Sequence, residues 1–309
     1  MKMKRTVFFV VIVMTFFLTD GQAGAAPLQV VTTTEDLAAI AREIGGPLVK
    51  VESLTRGSQD PHFLEARPSL ILKTSQADLF IQVGLDLEVG WVPALLVGAR
   101  NPKIQPGAFG FIDASRPIQA LDIPSGVVDR SQGDIHPFGN PHYWLDPENG
   151  IIISKNMAQG LIALLPKQSQ AIGQNQKGFM RNLNEAMAQW KIRMKPYEGA
   201  KVITYHQSWT YFTRRFGLDV VGYVEPKPGI PPSPTHIHQM MTLIKKERVR
   251  VIIVEPHFSR SIPDLLSRET GAKVLVLPQS VGGAEGIQTY FDLFNHLTRQ
   301  LAGALSEGE

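Results

Sequence analysis

Leu28-Gln29-Val30-Val31-Thr32-Thr33-Thr34-Glu35-Asp36-Leu37-Ala38-Ala39-Ile40-Ala41-Arg42-Glu43-Ile44, followed after a short turn by Val49-Lys50-Val51-Glu52-Ser53-Leu54, decides the fold class. Residues 28–33 are a short β-rich run. Thr34 and Glu35 open an amphipathic helix through Ala41 to Ile44, and residues 49–54 form a second β-run, so the unit reads β-α-β. The alternation continues outward with a helix over 67–75, a strand over 79–83, a helix over 91–98 and a strand over 109–113. It resumes after Pro196 with strands over 201–205, 220–223, 249–254 and 273–277, helices between them and a closing helix over 289–305. Such alternation predicts parallel sheets covered by helices. The β-branched run Val249 to Val254 is of the kind that a strand buried on both faces requires.

Between the two alternating regions the pattern is almost wholly helical, broken near Pro166. The piece from Ser169 to Lys195 makes about 40 Å of helix at 1.5 Å per residue, a length that suits a strut. The expected architecture is therefore α/β, two β/α lobes with parallel central sheets joined by one long rigid helix. The expected division is a first lobe over residues 27–168, a linker helix over 169–199 and a second lobe over 200–309, with no internal repeat evident in the sequence. Residues 107–140 are rich in Gly, Pro, Ser and Asp, and the second half, with Asp129, Asp134 and His136, reads as a surface loop.

The chain opens with Lys2, Lys4 and Arg5, an apolar run from Val7 to Leu18, and the small residues Ala23, Gly24, Ala25 and Ala26, which is the pattern of a cleaved secretory signal over residues 1–26. About 12 apolar residues fall short of the roughly 20 that span a bilayer core. With no cysteine in the chain to carry a lipid, the expectation is a free periplasmic protein without a membrane anchor. Removing that segment leaves 28 basic and 27 acidic side chains, a balance that argues against nucleic acid as a partner. Without cysteine, stability rests on core packing, and any metal site has to be built from nitrogen and oxygen.

Three of the eight histidines share a context, each following an apolar or β-like run where a strand gives way to a loop or helix. His62 lies in Asp60-Pro61-His62-Phe63, His142 in Asn140-Pro141-His142-Tyr143-Trp144-Leu145-Asp146-Pro147, and His206 in Thr204-Tyr205-His206-Gln207-Ser208-Trp209. Parallel sheets bind ligands outside the carboxyl ends of their strands. Three neutral imidazoles suit zinc at about 2.0 to 2.1 Å, whereas manganese prefers more oxygen. Copper(II) outranks zinc in raw affinity, so ligand type alone leaves the ion open. The other histidines read differently. His236 and His238 sit on different faces of a helix capped by Ser233 or Thr235, His296 falls in the last helix, and His136 is at best a weak capture patch. His257 follows a buried strand to the same cleft edge and is the reserve ligand, while Glu255 is placed to orient a ligand histidine or a backbone group from behind.

These motifs in this order, with Pro68-Ser69, Val254-Glu255-Pro256 and Thr289-Tyr290-Phe291-Asp292-Leu293-Phe294, resemble the zinc and manganese solute-binding proteins of ABC importers, the ZnuA/TroA-like family, over essentially the whole chain after the signal. The resemblance implies metal held in a cleft between two lobes, His62 and His142 from the first and His206 from the second. It implies delivery to an ABC permease powered by an ATPase. The chain is expected to be a monomer, with a periplasmic metallochaperone as a further candidate partner. The family's fourth ligand is a carboxylate before the final helix, and the matching position is read as Gln288; a neutral amide is a poor zinc ligand, so Glu285 or a water is expected to complete the tetrahedron. Manganese is the alternative cargo. A zinc hydrolase has three histidines and water in common with this plan, yet the sequence has no His-Glu-x-x-His helix and no Gly-x-Ser-x-Gly elbow. A surface adhesin, the remaining class, fits poorly with a chain that has no cysteine for tethering.

Overall fold

The computed structural model describes residues 26–126, 128 and 133–306. The leading segment up to Ala25, and Asp129, lie outside the described residues. Two four-stranded parallel sheets form the frame. The first contains β1 (Leu28–Thr32), β2 (Val49–Ser53), β3 (Leu79–Gln82) and β4 (Phe111–Asp113), ordered β2-β1-β3-β4. The second contains β5 (Lys201–Thr204), β6 (Asp219–Tyr223), β7 (Val251–Val254) and β8 (Lys273–Val276), ordered β6-β5-β7-β8. Each sheet therefore starts at an inner strand, steps outward once, then returns across it, so the two halves share a topology that their sequences do not display as a repeat.

Helices α1 (Glu35–Gly45), α2 (Pro68–Ser75) and α3 (Val92–Ala99) flank the first sheet; α6 (Thr210–Phe216), α7 (Pro234–Glu247) and α8 (Ser261–Thr270) flank the second. Thr34 caps α1 by accepting the Leu37 N–H, with Glu35 and Asp36 in the first turn, as the sequence pattern predicts. Helices α4 (Pro147–Leu164), α5 (Ser169–Met194) and α9 (Tyr290–Ser306) join the halves. The break at Pro166 is a single 3-10 turn. The 26 residues of α5 make a rod of about 39 Å. Its buried stripe of Ile172, Phe179, Leu183, Met187, Trp190 and Met194 follows the three-to-four spacing of one helix face.

Alternation along the strands sorts side chains into three cores. Val31 and Phe80 face an outer core under α2 and α3, and Ile203 and Ile252 face its counterpart under α7 and α8. Val30, Leu79, Val202 and Val251 point the other way, into one core that is continuous from the first sheet to the second through Leu183, Trp190, Phe294 and Leu297. The carboxyl ends of β2, β5, β7 and β8 run into the loops that carry His62, His206, Glu255 and Gln279.

Candidate metal site

Each of the three histidines is held by its own local device. Asp60 Oδ1 accepts the His62 backbone N–H at 3.0 Å and lies 2.7 Å from His62 Nδ1, so one carboxylate fixes both the turn and the ring. Trp91 Nε1 donates to the carbonyl of Pro61 from the core beneath, at 3.1 Å. Asn140 plays the same part before His142, accepting its backbone N–H at 3.0 Å and donating across the cleft to the carbonyl of Gln207 at 2.7 Å. His142 leads into a buried 3-10 turn, Tyr143–Leu145, whose Trp144 ring lies 5.1 Å from the His142 ring and whose Tyr143 hydroxyl donates to the Val83 carbonyl. His206 follows β5 directly; Thr204 Oγ1 donates to its carbonyl at 2.7 Å, and Glu225 Oε2 stands 2.8 Å from its Nδ1.

These devices bring the rings together. Among the described residues, His62, His142 and His206 form a group whose ligand atoms all lie within 4.8 Å of one another. Ring centres are 5.1 Å apart for His62 and His142, 5.5 Å for His62 and His206, and 5.6 Å for His142 and His206. Two imidazoles on one tetrahedral zinc, each with a Zn–N bond of about 2.0 to 2.1 Å, have centres about 5 Å apart. His62 Nε2 and both ring nitrogens of His142 are buried without a hydrogen-bond partner, a cost that a structural histidine would avoid and that an ion would remove.

The electrostatics differ from ring to ring. Burial, followed by the neighbouring charges of His62 and His206, pushes the His142 pKa well below its ordinary value, so its ring is neutral and ready to bind. Burial also works against a charged His206, but its hydrogen bond to the accepting Glu225 carboxylate and the charges of Glu255, Glu225 and Asp60 outweigh it and raise its pKa. Burial would raise Asp60; its hydrogen bond and charge pairing with His62, with help from His257, bring it down to about 2. Glu255, fully buried behind His206, is pushed up to about 7 by desolvation, partly offset by His206 and by the Trp209 Nε1 donor at 3.0 Å.

The remaining sequence candidates fall elsewhere. Glu285 and Gln288 are exposed; Glu285 is outside the histidine group, and the Gln288 backbone N–H is bonded to Asp292 at the start of α9. His257 also stays outside the group, with Nε2 4.0 Å from Asp60 Oδ2, so it faces the carboxylate that holds His62. His236 Nε2 meets the Tyr223 carbonyl, a structural contact. One residue was not singled out by the sequence, and another was given too small a part. Gln279, past the end of β8, is buried with Oε1 unpartnered, while its carbonyl accepts from Trp144 Nε1 at 2.8 Å. His136, read as a weak surface patch, instead stacks on His62 with ring centres 5.2 Å apart. Burial and the charges of His62 and His206 lower its pKa to about 3. An isolated histidine between Ile135 and Pro137 carries no periodic signal; the place of Gln279 shortly after the apolar run 273–277 was the available clue for the amide.

Comparison with known proteins follows the same outline. A family model described as zinc-uptake complex component A, periplasmic, matches residues 30–304. The chain is similar to the manganese ABC transporter substrate-binding lipoprotein PsaA of Streptococcus pneumoniae, 26% identical over 298 residues that cover 94% of this chain and 92% of that protein. It is similar to the iron ABC transporter substrate-binding lipoprotein MtsA of Streptococcus pyogenes serotype M1, 27% identical over 252 residues, 80% of this chain and 78% of the other. In fold it matches a crystal structure of ZnuA with a TM-score of 0.77 at 23% identity, over 90% of this chain and 99% of that one. A manganese-bound periplasmic metal-binding protein from Candidatus Liberibacter asiaticus matches with a TM-score of 0.74 at 21% identity, over the same shares.

Proposed function

Since the chain belongs to the zinc-uptake complex component A family, whose relatives are substrate-binding proteins of metal ABC transporters, we propose that it captures zinc outside the cytoplasm and hands it to an ABC permease driven by an ATPase. The observation that carries this reading is the convergence of His62, His142 and His206, from loops of both sheets, with mutual ring spacings that suit one tetrahedral ion. His62 and His142 bind from the first half and His206 from the second, so occupancy and closure are one event. Asp60 and Glu225 hold Nδ1 of His62 and His206 and leave Nε2 for the ion. No chemistry on the ion is required, and a non-enzymatic role follows from the family.

Zinc is preferred over manganese because the three grouped donors are imidazoles and no carboxylate joins them within 4.8 Å among the described residues. Manganese remains the second reading, motivated by the names of relatives such as PsaA. The leading segment and the exported relatives support export; the chain is read as acting alone, with a periplasmic metallochaperone as a donor of the ion. The test is a chelator-competition titration with zinc and with manganese on the parent protein and on His206→Ala. One zinc per chain, bound far more tightly than manganese and lost in the variant, is the expected result; undiminished zinc affinity in His206→Ala would overturn the site, and tighter manganese binding would overturn the cargo.

A further inference from the structure

Three imidazoles leave one corner of a zinc tetrahedron to fill. Glu285 and Gln288 are exposed and His257 faces Asp60; the buried atoms without a partner beyond the loop histidines include His136 Nε2, Gln279 Oε1, Ser208 Oγ and Glu255 Oε2, and of these four residues His136 is the one that lines the cavity beside His142 and His206. His136 is prepared as ligand histidines are. One ring nitrogen bonds the backbone carbonyl of Asp86, which fixes the tautomer, and Nε2 is left buried and bare. His62 has the same dress, with Nδ1 on Asp60 and Nε2 without a partner. The two rings stack with centres 5.2 Å apart, close to the separation of about 5 Å expected for two imidazoles on one zinc ion. His136 also lines, together with His142, His206 and Pro228, a cavity of about 40 Å³, room for a single water or ion.

The segment that carries His136 reaches both halves of the molecule. The Asp134 N–H donates to the Pro228 carbonyl in the second half at 2.9 Å, while the Asn140 N–H donates to the Leu121 carbonyl in the first at 2.7 Å. Gly133 lies so close to Pro228 that a Cβ there would strike its carbonyl, and Gly229 is packed as tightly against the Asp134 carboxylate. The strap is thus seated on the second half by close backbone approach.

Resting on the metal-capture reading above, we infer that His136 is a further nitrogen donor to the captured ion, swung into the coordination sphere by a strap that spans the cleft. His136 stands outside the group whose ligand atoms lie within 4.8 Å, so its nitrogen moves inward when the ion arrives. The strap then becomes a third point of closure besides the two halves. A shell of four imidazoles is the all-nitrogen environment that zinc accepts and manganese disfavours, so His136 would sharpen the choice of ion as well as tighten it.

The test compares zinc-loaded parent, His136→Ala, His136→Gln and Gln279→Ala by X-ray absorption at the zinc edge and by competition titration, with cobalt(II) absorption as a second report on the shell. Expected are a four-nitrogen shell in the parent, one imidazole fewer in both His136 variants, and zinc binding weaker by at least about tenfold, the loss seen when even a supporting group of a metal site is removed. Unchanged melting of the metal-free variants shows that they fold. Parent-like spectra and affinity in His136→Ala overturn the inference, as does a shell altered by Gln279→Ala but not by the His136 variants. Those outcomes leave the capture reading standing as long as His206→Ala still loses zinc; retention of zinc by that variant is the separate failure.

Discussion

At the scale of single residues, the site is defined less by the imidazoles than by what sits behind them. Asp60 and Glu225 reach Nδ1 of His62 and His206 at 2.7 and 2.8 Å, whereas both nitrogens of His142 are bare and its orientation comes from the Trp144 ring and the Asn140 turn. Asp60→Ala and Glu225→Ala are each expected to weaken zinc binding by about 10- to 100-fold with the fold intact, read by competition titration and far-UV circular dichroism. The sequence places His142 after a β-like run, but it lies at the end of a long loop well beyond β4, just before the 3-10 turn Tyr143–Leu145. His62 and His206 were legible because they lie in the loops after β2 and β5, and a strand end in a parallel sheet is a place where ligands are bound. His136 and Gln279 were not. The position of His136 is set by a long loop folding back over the cleft, a tertiary event without a local pattern, and the burial of Gln279 depends on Trp144, 135 residues away in the chain.

At the scale of elements, helix and strand positions followed closely from periodicity and capping, since Thr34, Asp146 and Ser233 each cap a helix that the sequence places there. Strand order was not legible, because both sheets are all-parallel and the alternation of Val49-Lys50-Val51-Glu52 in β2, at the edge of its sheet, does not say which strand lies beside it. Packing between the joining helices ties this frame to the site. The Tyr290 hydroxyl at the start of α9 donates to the Trp144 carbonyl at 2.5 Å, and the Tyr290 ring fills the space beside Gly150 of α4. A Cβ on Gly150 would lie 2.6 Å from that ring and 3.2 Å from Leu183 of α5. Gly150→Ala is therefore expected to lose about 1 to 3 kcal/mol of stability through overpacking, measured by denaturant unfolding. An unchanged or raised midpoint would show that Tyr290 gives way freely.

At the scale of the whole molecule, three fully buried carboxyls contribute to the response to pH with one sign, and the buried imidazoles of His136 and His142, held below their ordinary pKa, with the other. Desolvation raises Asp36, Glu88 and Glu255 each to about 7. Asp36 lies where the halves meet, accepting the Val281 N–H at 3.0 Å. In the unfolded chain these groups lose their protons near pH 4, so between about pH 4 and 7 the folded form holds more protons than the unfolded. Stability from these groups is complete below that window and is lost as pH rises through it, by about 1.4 kcal/mol per pH unit for each carboxyl. Asp36→Asn should make the slope of metal-free stability against pH more positive between about pH 4 and 7, measured by urea unfolding; an unaltered slope would mean that Asp36 does not titrate in this range.

The core that runs unbroken from the first sheet to the second, through Leu183, Trp190 and Phe294, has a consequence for how cargo leaves. A molecule with two separate interiors can gape about a slack tether, but one whose interior is shared can only yield by small sliding shifts, since wider opening would expose Val30 and Val202 to water together. If the chain captures metal as proposed, unloading would fall to a receiving protein that prises the cleft apart, and an unaccompanied carrier would be slow to let its ion leak away.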